Sequence, residues 1–479
     1  MIAKRPTVIF VLPNLQPGGA VTSVWLFCQT LITAGFSVSA LILGSRSEYA
    51  FAKFANAGIA IAERADLAEA DLVVLCFWNT PAVHAFIREP HPPLRVALRP
   101  CVEGNLQPHV ITREVADFAD VVWASATSTL DNPNIARLPC RTLHFPRNFA
   151  DFRRISTGNP SEFVSGYLGT VDFVKLHRDY VSMSAAAGMD MVFELWGAGG
   201  AKAAIKKEAK SIGRENDFRV MGATDKPIDA LQRFDVFGYP LCPDSYSAND
   251  ATLQEAMAMG LPCVVIDHPG NRDLVRDGET ALVASSPEAY SKALSALRQD
   301  PELRAQVGAR AASSIRKFHA DRSSGDMLGA VSDALAMPKR VRNAAGLVLN
   351  GADLFVSSLG DKTNAFSRNL HALRQEVGGQ SEQDETEIAS SSPGMCNAGA
   401  GGLFDYRAGF PDDPFLRYWT ALVFARMGRS AVALAELHAA RRLGLAPSIA
   451  NERYANLSAI MQSGGTPVQP PRHDNIDLP

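Results

Sequence analysis

CPDSYSANDATLQEAMAMGLPCVVIDHPGNRDLVRDGETALV, residues 242–283, decides the fold class. A loop leads into a short helix, TLQEAMAM (252–259), which Gly260 and Pro262 stop. CVVI (263–266) follows as a strand without polar alternation, the mark of a parallel sheet covered on both faces. In doubly wound sheets the ligand crevice lies beyond the carboxyl ends of the strands, where such loops gather. A helix starting there offers free N–H groups and the positive end of its dipole to an anion. Glu255 sits in the first turn of this helix and could accept two adjacent hydroxyls, as on a ribose. Thr252-x-x-Glu255 is equally a capping box, in which Glu255 only ties down the helix start.

The same alternation extends in both directions. Val8–Leu12 is an apolar run ending in PNLQPGG; a helical face of Val21, Val24, Trp25, Cys28, Leu31 and Ile32 follows, then a strand at Val38–Leu43. Further strands are expected at Leu72–Phe77, Arg95–Leu98 and Val121–Ala124, which makes residues 1–150 one α/β domain. PRNFADFRRISTGNPSEF (146–163) suits an interdomain connection. A second α/β domain spans 163–337, with strands at Phe163–Gly169, Met191–Trp196, Arg219–Met221 and Val236–Tyr239. Residues 338–403 read as a linker, disordered over the acidic and then Ser/Gly-rich 380–402. A helical appendage occupies 404–479. Within it, 414–447 resembles one tetratricopeptide hairpin at Trp419, Gly428, Ala433, Leu437, Ala440 and Pro447, and also suits a plain pair of helices. A lone hairpin cannot bury its own face, so it must pack on the body or on a protein partner through 412–460.

Composition narrows the function classes. The 479 residues allow about three domains. Hydrophobic residues are 47% and charged residues 20%, enough for a buried core, and the net charge of −3 gives no general pull toward nucleic acid or anionic lipid. Seven scattered cysteines, none at CxxC spacing, suit a reducing cytoplasm rather than a disulfide or zinc framework. No stretch gives about 20 clean apolar residues, so a soluble protein is expected, with peripheral contact at the inner face of a membrane left open.

The 253–283 stretch resembles the donor-site signature of glycosyltransferase family 4: Glu-Ala-Met-Ala-x-Gly-x-Pro, a Gly turn, then an acidic residue before Val-x-Asp-Gly. GYLGTVDFVKLH (166–177) is similar to the family's Gly-Arg-x-x-x-x-Lys element, ELWGAGG (194–200) to its strand and Gly-x-Gly, and PNLQPGGAVTSV (13–24) to its first-strand glycine loop. The resemblance covers roughly 5–320 and implies the GT-B fold, two Rossmann-like domains facing across a cleft. It implies glycosyl transfer from a nucleotide-diphosphate sugar to an acceptor hydroxyl, with retention, as in polysaccharide or glycan synthesis. Lys175 would neutralise the diphosphate, and Glu255 would hold the ribose. Gly18 and Gly19 would let backbone N–H groups approach the donor. Gly169, Thr170 and Gly197 would line the donor side, Ser247, Ala248, Asn249 and Asp250 would meet the sugar, and the amides of Thr252 and Leu253 would face phosphate.

Two positions depart from the family pattern. Ser247 stands where the family carries a carboxylate, and Thr170 where it carries an arginine. Asp250 is the candidate replacement for the first, Arg272 or His177 for the second. On the acceptor side, which could take a glycan, lipid-linked or protein acceptor, the candidates are Asn79, His84, Glu103 and His109. Glu103 is preferred because Glu103-Gly104 follows a strand. No Asp-x-Asp element appears where a metal-dependent enzyme would hold its cation, so neither metal nor cofactor is expected. A non-catalytic scaffold and, last, a nucleotide-sugar epimerase are the rival functions.

Overall fold

A computed structural model describes residues 5–144, 147–154, 162–342, 349–361, 363–375, 382–399 and 401–446. Contacts divide the chain into two units. The first comprises Met1–Phe77, His91–Asn105 and Ala116–Arg342; the second comprises Trp78–Pro90, Leu106–Val115 and Asn343–Pro479.

The first unit holds two parallel sheets. One contains β1 (Thr7–Leu12), β2 (Ser37–Ile42), β3 (Ala60–Ile61), β4 (Leu72–Phe77), β5 (Val96–Pro100), β6 (Val121–Ala124) and β7 (Cys140–Thr142), in the order β3-β2-β1-β4-β5-β6-β7. The other contains β8 (Phe163–Leu168), β9 (Met191–Trp196), β10 (Phe218–Gly222), β11 (Val236–Tyr239), β12 (Cys263–Ile266) and β13 (Leu282–Ala284), in the order β10-β9-β8-β11-β12-β13. All pairings between these strands are parallel, for example Val8↔Val38 and Val8↔Leu72 across β1, and Phe163↔Met191 across β8. Strand order reverses between β1 and β4, and between β8 and β11. Each reversal opens a crevice at the carboxyl ends. These are two Rossmann-like sheets joined in the GT-B manner.

The unbroken apolar strands explain this. Val8, Phe10, Val74, Leu75, Phe193 and Phe237 are fully buried. Each such side chain contributes about 1.5–3 kcal/mol only if its face of the sheet is covered. β8 and β11 carry a stacked aromatic column, Tyr167 on Tyr239 at 5.5 Å and Phe237 on Tyr239 at 5.3 Å.

The second unit is helical: Pro81–Arg88, Gly351–Ser358, Ala365–Arg374, Glu382–Ala389, Pro393–Cys396, Leu403–Gly409, Pro414–Arg426 and Ser430–Arg442. The expectation of a disordered linker within 338–403 is therefore corrected. Composition hid two facts. Ile388 and Cys396 are buried apolar anchors, joining a core that already holds Leu354, Phe355 and Phe366. Part of the acidic run is partnered: Arg368 pairs with Asp384 at 2.7 Å and Glu387 at 3.1 Å, and Tyr418 Oη donates to Glu385 Oε1 at 2.6 Å. Trp419 packs on Phe366 at 5.1 Å and donates Nε1–H to Asn369 Oδ1 at 2.7 Å. The expected helix pair at 414–447 is present as two helices joined by three residues, with Ala433, Leu437 and Ala440 buried; Pro447 lies outside the described residues. The pair packs on Glu382–Ala389 and Leu403–Gly409. The appendage is thus not purely C-terminal: the segments after β4 and β5 belong to it. Among the described residues no helix is long and apolar enough to cross a membrane.

Candidate active site

Two loops and one helix build the site. The loop after β8 carries Lys175. Its shape is set by Asp172, whose carboxylate accepts from the N–H groups of Val174 at 3.1 Å and Gly200 at 2.9 Å, and by a bond from Cys242 N–H to the Lys175 carbonyl at 2.8 Å. Gly169 and Gly197 act here through backbone packing. Gly197 has φ of +146°, and a Cβ on it would lie 1.7 Å from the Gly169 carbonyl oxygen. Only a residue without Cβ lets the turns after β8 and β9 meet this closely.

The second loop, after β11, ends at Asp250, the N-cap of the Ala251–Ala258 helix. Its turns are locked from inside. His268 Nε2–H donates to the Ser245 carbonyl at 3.0 Å, and its Nδ1 accepts from Gly270 N–H at 3.2 Å. Ser245 Oγ donates to Ser247 Oγ at 3.0 Å, and Asn249, at φ +54°, receives both its carbonyl and its Oδ1 bonds from Gln254 Nε2. Ser247, Ala248 and Asn249 are all buried. Burial holds the His268 pKa below its ordinary value despite nearby Asp250, so the ring is neutral at pH 7.

An N-cap aspartate ordinarily accepts from the first-turn amides. Asp250 does not; its carboxylate turns aside to Lys175 Nζ at 2.7 Å and to Asn271 Nδ2 at 3.0 Å. The first turn, with Thr252 and Leu253, thus begins without a side-chain cap. Burial opposes both charges, but each sustains the other: the Asp250 pKa is lowered and the Lys175 pKa raised. Tyr239 and Tyr246 flank the ammonium, with ring centroids 5.7 and 5.9 Å away.

The capping-box alternative falls away. The helix starts at Ala251 with Asp250 as its cap, so Glu255 is the fifth helical residue, beyond the first turn. Among the described residues its carboxylate has no hydrogen-bond partner. Burial raises its pKa, and Arg147 works against that rise.

Sequence reading missed Arg147, which lies in the segment joining the two sheets. It is 6% exposed, and its Nη2 donates to the Gly19 carbonyl at 3.3 Å and to Ser23 Oγ at 3.0 Å. A Cβ on Gly19 would stand 3.5 Å from Ala251 Cβ and 3.7 Å from Arg147 Nη2. The glycine loop after β1, with Gly18 as N-cap of the Gly19–Thr33 helix, therefore meets the start of the Ala251–Ala258 helix. Of the two candidate replacement cations, Arg272 is exposed and doubly bonded to Asp267, and His177 caps its own turn through Nδ1. Thr170 lends its carbonyl to Tyr167 Oη at 2.8 Å, and its side chain hydrogen-bonds Tyr246.

The acceptor-side candidates separate. Glu103 stays in the first unit, where its N–H donates to the Tyr246 carbonyl at 3.0 Å. It is 2% exposed, and both its oxygens accept from Asn105, so it organises its own loop. Asn79, His84 and His109 are buried in the helical unit. Asn79 Oδ1 accepts from His84 Nε2 at 2.9 Å and Tyr406 Oη at 2.8 Å. Burial pushes the pKa of both histidines down to about 3, leaving them neutral. All three sit among the packed side chains of the helical unit.

Comparisons with known proteins agree on the fold. Residues 172–300, which include Lys175, Asp250 and Glu255, match the family described as Glycosyl transferases group 1. Anabaena HepE, solved with UDP and glucose, shares 13% identity, with 69% of this chain and 100% of that one covered and a TM-score of 0.57. Sucrose-phosphate synthase from Thermosynechococcus elongatus shares 14% over 69% and 100%, at 0.57. A Rickettsia africae glycosyltransferase shares 12% over 70% and 99%, at 0.56. At such identities the likeness establishes the GT-B fold. No curated protein matches the chain significantly.

Proposed function

We propose that this chain transfers a glycosyl group from a nucleotide-diphosphate sugar to an acceptor hydroxyl, with retention of configuration. The observation that carries the reading is the composition of one helix start. A lysine stands 2.7 Å from its cap residue, and one turn further on a carboxylate keeps its hydrogen-bonding capacity. Lys175 and the uncapped N–H groups suit a diphosphate; Glu255 suits a ribose diol. The family match over 172–300 and the UDP complex of HepE support the same assignment.

In the reaction, the bond from sugar C1 to the diphosphate oxygen breaks and a bond from C1 to the acceptor oxygen forms. The acceptor proton passes to the departing phosphate. The enzyme's task is then electrostatic: it must stabilise the negative charge growing on the leaving oxygen. The donor sugar would lie by the Ser247–Asp250 loop, where the Asp250 carboxylate can accept hydrogen bonds from sugar hydroxyls once Lys175 turns to phosphate. The reading needs no cofactor or metal and leaves the acceptor as a glycan, a lipid-linked sugar or a protein.

Thermal shift with UDP, GDP and ADP tests it on wild type, Lys175→Ala and Glu255→Ala. One nucleotide at about 100 times its Kd should stabilise wild type by about 2.7 kcal/mol, and both variants should lose most of that. A non-catalytic binding role is the second reading. It is favoured by Ser247, a buried hydroxyl that accepts from Ser245 Oγ and stands where the family carries a carboxylate. Release of free nucleotide diphosphate from a donor excludes it; binding without any turnover across donors and acceptors supports it.

A further inference from the structure

We infer that Arg147 is a second cation for the donor diphosphate, supplied by the segment that joins the two sheets; the inference rests on the functional reading above. Three observations converge. First, the guanidinium is nine-tenths buried, yet among the described residues no carboxylate lies within ion-pairing distance. Among the described residues the guanidinium donates only to a carbonyl and a hydroxyl, and its buried Nε has no partner. Secondly, two helix starts and one lysine lie beside it. It touches Gly19 in the first turn of one helix, beside Ala251 at the start of another, and neither helix has a side-chain cap. Two helix N-termini there repel a cation. Lys53 is near enough to feel the same charge. Thirdly, the two acids that do face it, Glu255 and Asp250, offer only distant compensation, and burial lowers its pKa.

A buried guanidinium so placed is costly unless an anion completes the site. Lys175 alone does not supply that site's charge, because Asp250 already neutralises it. A diphosphate carries more than one negative charge, and a guanidinium offers a fork of N–H donors matched to phosphate oxygens. Arg147 is anchored on Gly19 and Ser23 of the first sheet's helix, while Glu255 and Asp250 belong to the second sheet. A diphosphate between them would be gripped from both sheets at once.

The experiment is isothermal titration of UDP, GDP and ADP, and of uridine, guanosine and adenosine, into full-length wild type, Arg147→Gln and Arg147→Lys. For the tightest nucleotide, Arg147→Gln should weaken the diphosphate about 10- to 100-fold. The matching nucleoside should change by less than about 2-fold, and Arg147→Lys should recover part of the loss. Equal weakening of nucleotide and nucleoside would make Arg147 a structural residue and overturn the assignment. So would an unchanged diphosphate preference in either variant, and Arg147→Lys keeps this arm open if Arg147→Gln does not fold. If wild type binds none of the three nucleotides, the functional reading itself fails and takes this assignment with it.

Discussion

Lys175, Asp250 and Glu255 divide the labour of the site through their surroundings. The Asp250 carboxylate competes with any phosphate for Lys175. Asp250→Asn removes that competitor, so bare nucleotide diphosphate should bind several-fold more tightly, by about 1 kcal/mol; titration calorimetry would show it, and weaker binding would deny the competition. Glu255 carries a pH signature. Burial raises its pKa, and a ribose diol donates to the ionised form. Nucleotide affinity should therefore fall on acidification, beginning at a higher pH than an ordinary glutamate with a pKa of 4.5 would allow. In Glu255→Gln that dependence should vanish. Legibility at this scale was uneven. Lys175 and Glu255 sit in recognisable local patterns, the end of a strand loop and the start of a helix. Arg147 does not, because its importance comes from tertiary burial against Gly19, some 128 residues away in sequence. Gly197 has a packing role that its motif does not announce: its missing Cβ accommodates the Gly169 carbonyl.

Loops and helices hold the site through a few polar latches. Asp273, in the loop after β12, accepts from Thr127 N–H at 2.7 Å and from His144 Nε2 at 3.1 Å, both in the first sheet's half. Burial would raise its pKa, but these hydrogen bonds outweigh burial and hold it down to about 2. A depressed carboxylate stabilises the fold above its unfolded pKa near 3.8 and loses that contribution as pH falls toward 2. Asp273→Asn should thus cost about 1–2 kcal/mol at pH 7, with the difference from wild type closing below about pH 3 in denaturation curves. In the helical unit, Glu436 is buried between Arg407 at 2.5 Å and Arg417 at 3.0 Å. Glu436→Ala leaves two cations facing each other and should cost about 3–5 kcal/mol, measured by chemical denaturation. The strands were legible because a fully buried parallel strand is a plain apolar run. The helices over 382–396 were not, since their acidic run reads as solvated although Asp384, Glu385 and Ile388 are buried.

The whole chain is organised less simply than its linear pattern. Reading from left to right gave two Rossmann-like halves and a detachable tail. The halves match the structure, because strand, loop and helix recur locally. The tail does not, because Trp78–Pro90 and Leu106–Val115 enter the helical unit from the middle of the first sheet. No local pattern announces such an exchange. Removing 343–479 should therefore leave Asn79, His84 and His109 stripped of the core that buries them, and the truncated chain should melt lower and bind a hydrophobic dye; a truncation that melts like the full chain would refute this. A crystal structure of the full chain with its tightest-binding nucleotide diphosphate is the decisive measurement. Phosphate oxygens should lie within hydrogen-bonding distance of Lys175 Nζ and the Arg147 guanidinium, with the ribose hydroxyls on Glu255. A nucleotide bound elsewhere, or one that leaves the Lys175–Asp250 pair and Glu255 untouched, would contradict the proposed function.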